Sequence, residues 1–297
     1  MRVVQAANYP ALPASAAVSS ALDISLDWLR NAVEALSYPR HFLKQPHSNR
    51  RAAEWIEDQF RSFGYRVQRQ GAYYNLVTRP PGNQPVTLVG AHFDSKPETP
   101  GADDNASAVV AMLAAARAIS AHAPAAPVVF VAFNREEEGL IGSTDFVANF
   151  LPDGGLSVEK AHVLEMLGYA DARPDTQKVP RGLPIRLLRD QGDFVAILGN
   201  RQSKRLVDLV MRTAKSYTPE LPALGLKIGC GLENRFAHLR RSDHAPFWDA
   251  KIPTVMWTDT AEFRNPHYHQ PSDTPETLDY LFLQRVTQLL IATILGK

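Results

Sequence analysis

The spacing of apolar residues predicts three helices in the first part of the chain. Over residues 23–36 and 49–63 apolar side chains recur every three or four positions, as at Leu29 and Val33. This is the pattern of a helix with one face on a core. Residues 106–121 are almost continuous in alanine, valine, leucine and isoleucine. We therefore expect the third helix to be buried on most sides.

Short apolar runs between polar or turn residues predict the strands. The runs cover residues 65–70, 74–78, 86–91, 128–133, 161–167, 193–198 and 253–257. They alternate with helical stretches that include 202–216 and 275–294, the latter with Thr274 as N-cap and Pro275 at the first helical position. Alternation of strands and helices is the order of an α/β domain, so we predict that class.

The chain length is compatible with one large domain. Of the 297 residues, we assign 23–297 to that domain and 1–22 to an N-terminal extension. Residues 170–192, rich in proline, arginine and aspartate, predict a long loop, and such loops in compact domains are often functional. Its four arginines could recognise a substrate carboxylate or could be solvated.

Charge and composition exclude several classes of protein. A net charge of +1 argues against nucleic acid as a partner. The single cysteine, Cys230, excludes an internal disulfide and a cysteine-based zinc finger. The first ten residues lack the apolar run of a signal peptide, and no run of about 18 apolar residues indicates a membrane span. We therefore expect a cytoplasmic location and no membrane partner; nothing in the sequence indicates an oligomeric state.

Ligand-type side chains follow three of the predicted strands. His92 and Asp94 come after the run at 86–91, Glu136 and Glu137 come after the run at 128–133, and Glu165 lies near the end of the run at 161–167. In open α/β sheets ligands bind outside the carboxyl ends of the strands, so we expect these side chains to converge. Imidazole and carboxylate without thiolate suit zinc, manganese or cobalt, and zinc is the commonest catalytic ion among them.

Four segments, in this order, resemble the signature stretches of the M28 family of zinc peptidases. They are His92-Phe93-Asp94, Gly101-Ala102-Asp103-Asp104-Asn105-Ala106-Ser107, Glu136-Glu137-Glu138-Gly139-Leu140-Ile141-Gly142-Ser143 and Tyr268-His269-Gln270-Pro271-Ser272-Asp273-Thr274. The resemblance covers about residues 50–295, and the family includes co-catalytic aminopeptidases together with relatives of glutaminyl cyclase and glutamate carboxypeptidase. It implies the zinc-exopeptidase fold: a single-domain α/β/α sandwich with a central mixed, mostly parallel sheet flanked by helices.

The resemblance also implies a pair of metal sites. Asp104 would bridge two zinc ions per chain, for which manganese or cobalt could substitute. His92 and Glu165 would complete one site, and Glu137 and His269 would complete the other. Three protein ligands leave each ion an open position, which catalysis needs. Glu165 stands where many relatives have aspartate.

The family pattern further implies how the reaction is helped. A hydroxide bridging the two ions would attack the peptide bond, with Glu136 as the general base. Asp94 would orient the ring of His92. Three consecutive acids stand where the family has two, and counting back from Gly139-Leu140 makes Glu138 the position without a role.

Three finer points accompany the resemblance. It implies a cis peptide bond between Asp104 and Asn105. The ligand histidine could be His267, but the Tyr-His-x-x-x-Asp-Thr pattern selects His269. The segment 241–247 also resembles a family stretch, and its His244 could donate a hydrogen bond to substrate or could be a packing residue.

The resemblance favours a zinc-dependent exopeptidase, most simply an aminopeptidase acting on peptides or small amides. A glutaminyl-cyclase-like acyltransferase or a carboxy- or dipeptidase could use the same site, and a receptor-like relative without catalysis is the third alternative. Serine hydrolase, His-Glu-x-x-His zinc protease and nucleotide-binding motifs are absent from the sequence.

Overall fold

The computed structural model describes residues 1–153 and 156–296, so Lys297, the end of the predicted domain, lies outside the described part. Within that part, nine strands form one sheet. In chain order they are β1 (Arg2–Gln5), β2 (Val67–Gln70), β3 (Asn75–Thr78), β4 (Val86–His92), β5 (Val128–Phe133), β6 (Val158–Glu165), β7 (Val195–Gly199), β8 (Ala223–Lys227) and β9 (Thr254–Thr258). Their order across the sheet is β1-β8-β7-β9-β6-β4-β5-β3-β2.

The sheet is mixed, with its parallel strands at the centre. Strands β9, β6, β4 and β5 run parallel to their neighbours in that group. Strands β7 and β8 form a second parallel pair, which meets β9 antiparallel. The predicted α/β class is confirmed. The carboxyl ends of β4, β5 and β6 consequently lie at one edge of the sheet.

Helices lie on both sides of this sheet. In chain order they are α1 (Ala16–Ser20), α2 (Leu26–Leu36), α3 (Pro46–Ser62), α4 (Ala108–His122), α5 (Ile141–Asp145), α6 (Leu151–Asp153), α7 (Lys204–Tyr217), α8 (His244–Asp249) and α9 (Tyr280–Leu295). The predicted helix at 106–121 corresponds to α4, whose residues are buried except near its end. No helix in the described residues is long and apolar enough to cross a membrane.

The start of α9 differs from the prediction. Thr274 precedes a single 3₁₀ turn at Pro275–Thr277, and the following residue, Leu278, has extended backbone angles of φ −87° and ψ 145°. The helix therefore cannot continue through this point. It begins instead at Tyr280, with Asp279 as the N-cap that accepts a hydrogen bond from a backbone N–H of the first turn.

The two faces of the sheet are buried in different ways. On one face Val89 and Ala91 of β4 pack in a large core with α2, α3, α4, α7 and α9. On the other face Leu88 of the same strand packs with aromatic residues that include Phe146 and Phe247. This alternation follows from the two-residue period of a strand. The second face of β7, β8 and β9 packs against loop residues such as Leu183.

Part of the predicted N-terminal extension belongs to the sheet. Strand β1 pairs antiparallel with β8, with Val3 opposite Leu226. Leu12 and Ser15 also donate backbone hydrogen bonds to side chains of α7. Four residues are too few to show a strand period in the sequence, so the pairing was not evident there. Residues 2–5 therefore extend the sheet rather than preceding the domain.

Candidate active site

The carboxyl ends of three neighbouring strands bring the predicted site residues together. His92 ends β4, Glu136 and Glu137 follow β5, and Glu165 ends β6. Asp104 comes from the turn that leads into α4, and His269 comes from the loop between β9 and α9. The parallel centre of the sheet therefore sets the site, and two loops complete it.

These side chains form two clusters that share Asp104. In the first cluster His92 Nε2 lies 3.4 Å from Asp104 Oδ1 and 3.5 Å from Glu165 Oε2. In the second cluster His269 Nε2 lies 3.1 Å from Asp104 Oδ2 and 3.5 Å from Glu137 Oε2. Within each cluster one ligand atom per residue lies within 4.8 Å of the others, close enough for a single ion to contact all three.

Asp104 is held in place by its backbone. The carboxylate of Asp273 accepts hydrogen bonds from the backbone N–H groups of Asp103 at 2.9 Å and Asp104 at 3.1 Å. The Asp104–Asn105 peptide bond is cis, as the resemblance implies. The side chain of Asn105 accepts a hydrogen bond from the Met166 N–H at 2.9 Å, directly after the end of β6. Because both clusters include Asp104, both are tied to this hydrogen-bonded turn.

Asp94 links His92 to the segment after β5. Its Oδ1 lies 3.4 Å from His92 Nδ1, the ring nitrogen that faces away from the first cluster. The same carboxylate accepts hydrogen bonds from the backbone N–H groups of Glu136 at 3.1 Å and Glu137 at 3.2 Å. Asp94 therefore contacts both the imidazole of His92 and the backbone of the two glutamates.

The three consecutive glutamates have separate surroundings. Glu138 forms a salt bridge with Arg135 at 2.7 Å. Glu137 belongs to the second cluster. Glu136 belongs to neither cluster, and its Oε2 lies 4.0 Å from His92 Nε2. Of the three carboxylates, only that of Glu137 thus belongs to a cluster, while Glu138 is paired with Arg135.

The charges of the site are unbalanced toward the acidic side. Burial raises the pKa of Glu136 well above its usual range, and Glu165 and Glu137 raise it further against the opposing charge of His92. Burial alone would raise the pKa of Asp104, but the adjacent imidazoles of His269 and His92 hold it below its usual range. Burial would also lower the pKa of His92, yet the surrounding carboxylates hold it well above its usual value.

Several buried atoms of the clusters fit a bound cation. The Nε2 atom of His92, which faces the first cluster, and the Oε1 atom of Glu137 are buried without a hydrogen-bond partner among the described residues. Such atoms are costly to bury unless something pairs with them. Imidazole and carboxylate are ligands that zinc accepts, with three per ion in catalytic sites. The donor set therefore fits two zinc ions.

Two histidines considered from the sequence lie outside the clusters. His244 is fully buried, its Nε2 is 2.9 Å from the Leu239 carbonyl oxygen, and its ring packs edge-on against Trp248 at 4.4 Å. Burial lowers the pKa of His244 to about 4. It does not line the cavity described below, so the prediction that it contacts substrate is replaced by the packing alternative. His267 Nδ1 pairs with Ser272 Oγ at 2.9 Å.

Two contacts to cluster residues were not predicted. Lys96 Nζ lies 2.9 Å from Glu137 Oε2. Ser242 Oγ donates to Glu165 Oε2 at 2.6 Å. Ser242 lies in the segment 241–247 that resembles a family stretch, which was a usable signal. Lys96 lies in a polar loop whose sequence gives no period or motif.

An apolar cavity of about 150 Å³ opens beside the two clusters. Its mouth is formed by Glu136, Glu165, Tyr268 and His269. Its inner walls are apolar and include Leu183, Ile185, Phe194, Leu198, Leu226 and Met256. The walls come from β7, β8 and β9 on one side and from the loop at 170–192 on the other.

The arginines of that loop do not reach the cavity. Arg173 is 81% exposed and pairs with Asp171 at 2.6 Å, and Arg189 pairs with Asp193 at 2.6 Å. Arg181 and Arg186 are exposed as well. Four apolar residues of the loop line the cavity instead, namely Val179, Leu183, Ile185 and Leu187. The four arginines therefore lie on the solvent side of the loop, as in the second of the two alternatives considered for them. The loop contributes apolar surface rather than charge to the cavity.

An α/β sheet whose strand ends carry two imidazole–carboxylate clusters at the mouth of a cavity defines a metallopeptidase-type hydrolase. The chain belongs to peptidase family M28, whose family model matches residues 75–294. The family assignment made from the four sequence segments is thus confirmed.

Individual relatives agree with this assignment. The chain is 33% identical over 261 residues to the uncharacterized protein YfbL of Escherichia coli K12, covering 82% of this chain and 79% of that protein. It is 27% identical to the aminopeptidase YwaD of Bacillus subtilis 168 over 70% of this chain, and it spans 40% of that protein. The LapA aminopeptidase structure of Legionella pneumophila superposes with a TM-score of 0.73 at 21% identity, over 93% of this chain and 73% of that one. The last comparison establishes the shared fold.

Proposed function

We propose that the protein is a zinc-dependent aminopeptidase with two zinc ions per chain. The observation that carries the proposal is the pair of clusters sharing Asp104 at the mouth of an apolar cavity. His92, Asp104 and Glu165 would hold one ion. Asp104, Glu137 and His269 would hold the other. The name of the B. subtilis relative supports an aminopeptidase over other exopeptidases.

Two residues outside the metal clusters, Glu136 and Asp94, would transfer protons and position the ligands. When bound, zinc would supply Lewis acidity and would lower the pKa of a bound water. The side chain of Glu136 is about 10% exposed and lies beside the clusters without belonging to either of them. Its carboxylate would accept the proton of the attacking water and pass it to the nitrogen of the leaving amine. Asp94 would keep the His92 ring and the Glu136 backbone in position for this transfer.

The cavity would take the side chain of the substrate's N-terminal residue. A single water molecule needs about 10–15 Å³ of cavity volume. A cavity of about 150 Å³ therefore has room for a large side chain. Of the charged residues that line it outside the clusters, Arg241 and Glu262 pair with each other, and Lys178 is exposed to solvent. A charged side chain on the inner walls would find no partner and would be costly to bury. Large apolar residues are therefore the expected N-terminal residues.

The test is hydrolysis of aminoacyl anilides by the zinc-loaded chain, with products identified by mass spectrometry. Release from phenylalanyl and leucyl anilides, loss of release with the N-acetylated compounds, and loss on chelation would support the proposal. Release of the C-terminal residue of a peptide would indicate a carboxypeptidase. Loss of ammonia from an N-terminal glutaminyl peptide would indicate a cyclase, and no conversion of any of them would favour the receptor-like alternative.

One substitution tests the assignment of the cavity separately. Ala196 lies in β7 on the cavity wall and is small. Phenylalanine at this position would fill much of the space, so Ala196→Phe should lower kcat/KM for phenylalanyl anilide by about tenfold or more. The alanyl anilide is the internal control, and its kcat/KM should change little. Equal losses for both substrates would contradict this placement of the substrate side chain.

A further inference from the structure

Lys96 binds a carboxylate of the second cluster. It lies in the loop between β4 and the turn that carries Asp104. Its Nζ is 2.9 Å from Glu137 Oε2 and 2.8 Å from the Glu137 carbonyl oxygen. The side chain is 32% exposed, so solvent screens the contact only in part. The backbone carbonyl gives the ammonium a second anchor that does not depend on the Glu137 carboxylate.

The corresponding carboxylate of the first cluster has a neutral partner. Ser242 Oγ donates to Glu165 Oε2 at 2.6 Å and brings no charge. The imidazole of the first cluster also has Asp94 behind it, 3.4 Å from His92 Nδ1. A carboxylate in that position increases the basicity of a ligand imidazole. Asp94 therefore favours cation binding by the imidazole of the first cluster. In the second cluster, by contrast, the Lys96 ammonium already contacts the Glu137 carboxylate.

We propose that Lys96 weakens cation binding at the second cluster and so makes the two metal sites unequal. A divalent ion bound by the Glu137 carboxylate would lie close to the Lys96 ammonium, because that ammonium contacts the same carboxylate. Two positive charges so close together repel strongly in a partly buried site. The carbonyl anchor keeps the ammonium there after the ion binds. The first cluster then fills first, and occupancy of the second follows the ambient metal concentration.

This inference rests on the proposed function, because it takes both clusters as metal sites. It adds regulation by metal supply: at limiting zinc the chain carries one ion, and the complete pair forms only at higher zinc. The property is set by one partly exposed side chain that belongs to neither cluster, so it can be changed without removing a ligand.

Zinc titration of the metal-free protein by calorimetry tests the inference. The wild type should show a tight and a weaker binding step. Lys96→Met should tighten the weaker step by about tenfold or more and leave the tight step unchanged. Lys96→Arg keeps the charge and should retain the wild-type difference between the steps. Lys215→Met removes an exposed charge on α7 and should change either step by less than about twofold.

Ligand variants assign the affected step to a cluster. In a Glu165→Ala background the second cluster keeps its three residues, and adding Lys96→Met should tighten zinc binding there. In a His269→Ala background the first cluster keeps its three residues, and the same addition should have no effect. Circular dichroism of each variant checks that the fold is retained.

The outcomes separate this inference from the proposed function. Two wild-type steps with no change in Lys96→Met would overturn the inference and leave the proposed function standing. Weaker zinc binding in Lys96→Met would also overturn it, because Lys96 would then be supporting Glu137 as a ligand. A wild-type chain that binds no zinc would instead overturn the proposed function.

Discussion

Replacing Glu136 by glutamine removes the proposed base and leaves the metal ligands in place. The two side chains have the same shape, but the amide cannot accept a proton from water. General-base catalysis contributes about 10²–10⁴ in rate, so we expect kcat to fall by that factor, about 3–5 kcal/mol in the activation free energy. Glu136 belongs to neither cluster, and its Oε2 lies 4.0 Å from His92 Nε2. Zinc content should therefore stay at the wild-type value.

Glu138→Gln is the matched control for this variant. It makes the same chemical change two residues further on, where the carboxylate is held by Arg135 at 2.7 Å. Loss of such a partly exposed pair costs about 1 kcal/mol or less, and kcat should change by less than about twofold. The assay is steady-state hydrolysis of leucyl anilide together with elemental analysis of each protein. Glu136→Gln with near-wild-type kcat, or Glu138→Gln with the larger loss, would refute the assignment.

Three other substitutions test the metal ligands, the support of Asp104 and a buried histidine. His269→Ala leaves the second cluster two ligands, so bound zinc should fall to about one ion per chain by elemental analysis; retention of both ions would contradict the ligand role. Asp273→Ala removes the acceptor of two buried N–H groups, those of Asp103 and Asp104. It should therefore lower the free energy of unfolding, measured in urea, by about 3 kcal/mol and weaken zinc binding. Unchanged stability would argue against the support of Asp104 by Asp273. Burial lowers the pKa of His162 to about 3, below its value of about 6.5 in the unfolded chain. Above about pH 6.5 the side chain is neutral in both states. Below that pH the unfolded chain takes up a proton that the folded chain does not, so the free energy of unfolding falls with pH. Urea titrations between pH 6 and 4 should show wild type losing about 1.4 kcal/mol more per pH unit than His162→Gln, and parallel curves would contradict this.

The sequence predicts the centre of the molecule better than its edges. The runs that become β4 and β5 are almost entirely apolar because both faces of those strands are buried. The ends of β4 and β6 could be located from the polar residues His92 and Glu165. Strand β8 was not predicted. It is five residues long and contains Gly225, where a Cβ atom would lie 2.7 Å from a methyl group of Val207. A glycine required by packing of this kind weakens the local strand signal.

The site was predictable in its ligands and not in their supports. Asp104 and His269 lie outside the strands, and only the family resemblance selected them among many acids and histidines. Asp273 supports the backbone of Asp103 across 170 residues of sequence, a distance over which hydrophobic periodicity carries no information. The contact of Lys96 with Glu137 also depends on how two loops meet, so it becomes visible only in three dimensions.

The most direct test of a two-zinc site is a crystal structure with anomalous diffraction data collected at the zinc edge, from crystals grown with excess zinc. The account predicts two anomalous peaks about 3.5–4 Å apart, one contacted by His92, Asp104 and Glu165 and the other by Asp104, Glu137 and His269. Peaks confined to other residues, or no peak at Asp104, would contradict it.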